Sequence, residues 1–119
     1  MNIKDVNHAL SLFEKHNIQR GEALNVGNGK KANYHYDRIR KIIVFLKREK
    51  ALMNLSIFFT HTNPYVRLDA AANLLPLYEK DCLKIMKAIE KDEKGIVVIE
   101  AEYTIKEWEN GNLKEFYTL

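Results

Sequence analysis

The sequence holds a single cysteine, Cys82, among 119 residues. One cysteine closes no internal disulfide and agrees with a reducing compartment, so no disulfide-framed scaffold is expected. On a predicted helix beside Leu83, it reads as a small buried hydrophobe rather than a nucleophile. There are only two prolines. Pro64 opens one predicted helix and Pro76 lies near its end. Long apolar runs are also missing. The start, MNIKDVNHALSLF, has no uninterrupted apolar stretch behind a basic head, so no secretion signal is expected, and no segment approaches a membrane span. A cytoplasmic protein without a membrane is the expectation. The four histidines, His8, His16, His35 and His61, are scattered. None pairs with another ligand type at metal-site spacing, so neither a metal nor a cofactor is expected. His35 and Asp37 stand two apart on a predicted helix and do not face each other. The glycines of VGNGKK lack the preceding strand and the Gly-Lys-Ser/Thr ending of a phosphate loop. No enzyme is expected from these residues.

What is present is a soluble globular balance, 46% hydrophobic and 29% charged, over a length that suits one domain, 1–119. The formal net charge of +3 is too small to argue for nucleic acid by itself. Its distribution is uneven. Residues 30–50 carry eight basic residues against two acidic ones, and residues 78–119 carry seven lysines against ten acids. The chain therefore has a basic segment and an acidic end.

Helical periodicity dominates. Val6, Ala9, Leu10 and Phe13 share a face of a first helix over about 3–20, capped by Asn2 or Asp5. VGNGKKAN, residues 26–33, concentrates glycine and asparagine and predicts the longest loop. A second helix follows, with Tyr36, Ile39, Ile43 and Leu46 on its apolar stripe. The run Ile42 to Leu46 suits a strand by length, but flanking charges at helical spacing favour helix. Leu52, Leu55, Ile57, Phe58 and Phe59 predict a short third helix ending near His61. Asn63 as cap and Pro64 at the first helical position start a fourth. A fifth over about 79–91 points Leu83, Met86 and Ile89 inward, and a sixth over about 95–110 ends at Asn110-Gly111. In the tail, Phe116, Tyr117 and Leu119 either fold back or stay free.

Val66, Ala70 and Leu74 recur as Val97, Ala101 and Ile105, in the same four-residue steps. Each position is offset by 31 residues. With a shorter helix before each, residues 50–110 read as two helical hairpins of one design, which must stack to bury their apolar faces. The fold class expected is all-α, about six helices in a short right-handed superhelical stack. Ala70 and Ala71 allow the close approach of neighbours.

NPYVRLDAAANLL resembles the second helix of a HEAT- or armadillo-type repeat. The order of GNGKKANYHYDRI, then NPYVRLDAAANLL, then GIVVIEAEYTIKEWENGNL resembles a family of small bacterial helical domains of unknown function. The resemblance spans about residues 27–113 and rests on Asn33, Asp37, Arg67, Ala71 and Trp108 within those motifs. It implies an immunity protein that binds a secreted bacterial toxin encoded beside it, such as a nuclease of a contact-dependent or polymorphic toxin system. Arg67 is expected to pair with Asp37 or Asp69, and Trp108 to lie in the core with its N–H near the edge.

Two functional readings follow. In the first, a protein partner is bound through the exposed Tyr65 and Asp69 together with an acidic face of Glu100, Glu102, Glu107 and Glu109 on the sixth helix. In the second, the basic segment 30–50, with Tyr34 and Tyr36 among its lysines and arginines, binds nucleic acid or serves a general helical-repeat scaffold. Charges opposite an apolar stripe are also what a solvated helix needs, which favours the protein partner over nucleic acid.

Overall fold

Asp5 starts the first helix. Its carboxylate accepts the His8 backbone N–H at 2.7 Å, satisfying a donor that a helix start otherwise leaves open. The structure, a computed structural model, describes residues 1–117, apart from the side chains of Glu115 and Phe116. Those residues form α1 (Val6–Asn25), α2 (Gly29–Arg48), a 3-10 segment (Leu52–Phe58), α3 (Pro64–Leu74), α4 (Glu79–Asp92), α5 (Ile96–Glu109) and α6 (Lys114–Tyr117). The all-α expectation holds, and among the described residues there is no strand. Of the tail residues expected to fold back, Leu119 and the Phe116 side chain lie outside the description. Tyr117 does fold back, donating its hydroxyl to the carbonyl of Ala72.

Three boundaries differ from the sequence expectation. The longest predicted loop is only the tight connection Val26–Asn28. Gly27 adopts φ +74°, and the Asn28 N–H closes α1 on the Ala23 carbonyl at 2.8 Å. Asn28 Oδ1 then accepts the Lys31 N–H at 3.1 Å, so one asparagine ends one helix and caps the next. Gly29 to Asn33 are therefore helical. The third predicted helix is a 3-10 segment ending at Phe58. Leu52, Leu55 and Phe58 fall three apart on its inner edge, as three residues per turn requires, while Ile57 points to solvent. Finally, α1 passes through Gly21 and runs to Asn25.

The fourth helix starts as expected. Asn63 Oδ1 accepts the N–H groups of Tyr65 and Val66 at 2.9 and 3.3 Å, with Pro64 in the first turn. α1, α3 and α5 touch one another. α2 lies along α1, and α4 covers both α3 and α5. The six repeat positions Val66, Ala70, Leu74, Val97, Ala101 and Ile105 are all buried, and Ala71 is fully buried beside them. Burial of a Val66 or Leu74 side chain contributes about 1.5–3 kcal/mol, and the alanines bring the helix backbones together.

Arg67 reaches neither Asp37 nor Asp69. Its guanidinium donates to the carbonyls of His61 at 2.7 Å and Thr62 at 3.2 Å, and to Glu93 at 3.4 Å. It thus ties the entry to α3 to the end of α4. Trp108 is half-buried, its indole N–H donating to Glu79 at 3.1 Å. Asn33 and Asp37 are exposed on α2.

Candidate functional site

A cleft of about 330 Å³ opens between α2 and α5. Tyr36, Ile39, Arg40 and Ile43 form the α2 wall, and Ile99, Glu100, Tyr103 and Thr104 the α5 wall. Asn17 and Arg20 of α1 and Leu68, Asp69 and Asn73 of α3 form the floor. The rim is apolar and open: Ile99 is 65% exposed, Tyr103 62% and Tyr36 46%. Tyr36 was expected on the buried stripe of its helix and instead stands at the mouth.

The floor is polar and organised by Asp69. Its Oδ2 accepts the Asn17 amide at 3.0 Å and its Oδ1 accepts the Asn73 amide at 3.0 Å. The same amides donate to backbone carbonyls, Asn17 to Phe13 at 3.1 Å and Asn73 to Asp69 at 2.8 Å. Both asparagines are buried, and Asn17 Oδ1 has no partner among the described residues. Burial pushes the Asp69 carboxyl above its ordinary value, against the opposing pull of Asn17 and Arg20. Beside it, Arg20 and Glu100 form a two-point ion pair from α1 to α5, with Nη1 3.2 Å from Oε1. Burial opposes the charge on Arg20, but Glu100 outweighs it and holds the guanidinium above its ordinary value. Thr104 donates to the Glu100 carbonyl at 2.8 Å, fixing that turn of α5.

Tyr65 was expected at the surface and is 4% exposed. Its hydroxyl donates to Asn25 at 3.1 Å, and its ring lies against Gly21. The four glutamates of α5 do not share a face. At 3.6 residues per turn, positions 102 and 109 project about 140–180° away from 100 and 107. Glu100 belongs to the cleft, while Glu109 lines a separate depression beside Trp108 and Leu113.

Two further features escaped sequence reasoning. His16 on α1 and His35 on α2 are buried with their Nδ1 atoms 2.9 Å apart. One ring donates and the other accepts. Burial lowers both imidazoles below their ordinary value. His61 bonds Glu14 at 2.7 Å and accepts the Asn63 N–H at 2.9 Å. Among the described residues, no group of three or more His, Cys, Asp or Glu side chains is placed to hold a metal ion. No helix there is long and apolar enough to cross a membrane. Cys82 is fully buried, and burial pushes its thiol up to about 12.

No family model matches the chain, and no curated protein is similar to it. Among solved structures, it is similar to the crystal structure of the protein RPA1889 from Rhodopseudomonas palustris CGA009. The two share 19% identity at a TM-score of 0.86, over 96% of this chain and 98% of that one. At that identity the likeness establishes the all-helical fold alone.

Seven of the eight basic residues of segment 30–50 lie on α2, with Lys50 just beyond it. Lys30, Lys41 and Arg48 are exposed on the side opposite its buried stripe of Ile39, Ile42, Ile43 and Leu46. Arg38 stacks over the Tyr34 ring at 5.0 Å.

Proposed function

We propose that this is an immunity-type protein that binds a bacterial protein toxin across the α2–α5 cleft and neutralises it by contact. The observation that carries the reading is the exposure of Tyr36, Ile99 and Tyr103 around a polar floor. Aromatic and large apolar side chains held at a rim favour recognition, because covering them removes apolar surface from water while the floor supplies orientation. The floor is already ordered by Asp69 and by the Arg20–Glu100 pair, so binding there loses little conformational freedom. The toxin as partner class comes from the resemblance of the GNGKKANYHYDRI, NPYVRLDAAANLL and GIVVIEAEYTIKEWENGNL segments. The partner is then the product of an adjacent gene, and no cofactor or membrane takes part.

Coexpression with the toxin domain encoded by that neighbour tests the proposal. The wild-type chain is expected to restore growth. Ile99→Asp combined with Tyr103→Asp is expected to abolish protection while keeping the wild-type circular dichroism and melting temperature. Full protection by the double variant would remove the cleft from the reading. Absence of protection by the wild-type chain would remove the toxin.

A further inference from the structure

Donors and acceptors do not balance on the cleft floor. Both Nδ2 protons of Asn17 are committed, to Phe13 and Asp69, and both of Asn73 to the Asp69 carbonyl and carboxylate. The acceptors are not exhausted. Asn17 Oδ1 is buried without a partner among the described residues. Each Asp69 oxygen accepts one side-chain amide, where a carboxylate oxygen has room for two donors. The charged groups of the lining are Arg20 and Arg40 against Asp69 and Glu100. Glu100 engages Arg20 at two points, while Asp69 accepts from the two neutral amides of Asn17 and Asn73. The floor therefore lacks a donor, and a positive one suits it best. The walls suit what would carry it, because Ile39, Ile43 and Leu68 match an alkyl stem while Tyr36 and Tyr103 offer aromatic faces at the mouth.

We propose that the cleft receives an ammonium or guanidinium head on an apolar stem, seated against Asp69 and Asn17. The inference deepens the reading above for the same cleft and rests on it only for the carrier, a lysine or arginine side chain of the toxin. A free alkylamine has the same chemistry.

Titration of the ¹⁵N-labelled protein with N-acetyl-arginine amide, n-butylammonium and N-acetyl-citrulline amide tests the pocket. The two cations are expected to shift the Asn17, Asp69 and Asn73 signals saturably at about millimolar concentration, the range open to probes of this size. Citrulline, of the same shape but neutral, is expected to bind about tenfold more weakly, as loss of a charge-assisted bond implies. Asp69→Asn should lower affinity for the cations by a similar factor, and its melting curve reports whether it is folded. Tyr103→Ala, on the exposed rim, should weaken binding without disturbing the floor. Equal binding of citrulline and arginine, or no saturable shift up to about 50 mM, would overturn the proposal. Displacement of n-butylammonium by the toxin assigns the head to the partner. Cation binding without toxin protection keeps the pocket and removes the immunity reading. Protection without cation binding does the reverse.

Discussion

Gly21 sits inside α1, where alanine would ordinarily gain about 0.5–1 kcal/mol by restricting the unfolded chain. Here a Cβ would lie 2.4 Å from Cδ2 of Tyr65 and 2.8 Å from Cε2. The ring is buried and bonded to Asn25, so it has nowhere inexpensive to move. Overpacking at about 1–3 kcal/mol outweighs the helix gain. Gly21→Ala is expected to destabilise the fold by roughly 1–2 kcal/mol net in urea unfolding, with Tyr65→Leu recovering part of the loss. A variant as stable as the wild type would show that the ring yields without cost. This one contact explains one misread residue, Tyr65. In the sequence, Tyr65 looks like a surface group, since nothing local links α1 to α3.

Caps and periodicity made most elements legible. Asn63-Pro64, the stripe of α2 and the 31-residue offset of Val66, Ala70 and Leu74 all depend on neighbours along one helix. Pairings between helices do not, which is why Arg67 was assigned the wrong carboxylates and the His16–His35 contact between α1 and α2 was not foreseen. That contact ties the packing of the two helices to pH. Burial is the main cause of the lowered imidazole values, with the Lys15 charge adding to it for both and Glu22 opposing it for His35. In the folded chain the pair resists protonation, while in the unfolded chain both rings take up protons as pH falls through about 6.5. Stability is therefore complete above that value and is lost as pH drops toward the folded values. Asp69, raised above 3.8, acts in the opposite sense: its contribution is present below 3.8 and is lost as pH rises through its folded value. The urea midpoint is expected to fall between about pH 7 and pH 5 in the wild type. It should fall less in the variant carrying both His16→Leu and His35→Leu, which replaces both polar partners together. An equal slope in the two proteins would place the acid sensitivity elsewhere.

Over the whole molecule, the basic α2 and the acid-rich α5 stand on either side of the cleft, so a charged partner experiences both. The composition made this polarity legible, but the helix packing put the opening between the two walls. Lys30 and Lys41 are exposed on the outer side of α2, away from the cleft floor. Reversing both, Lys30→Glu with Lys41→Glu, lowers the formal net charge of +3 by four without touching the binding residues. If the toxin brings a cationic side chain to Asp69, the reversal should speed association several-fold at low salt and leave dissociation unchanged, because remote charges steer encounter rather than hold the complex. The gain should fade at roughly 0.5 M salt as screening shortens the reach of those charges. A nucleic-acid ligand predicts the opposite sign: weaker binding, with a salt slope reduced by about two. Surface plasmon resonance at two salt concentrations separates them. Slower association of the variant with the toxin would mean that the toxin's approaching surface is acidic overall, which would overturn the expected steering.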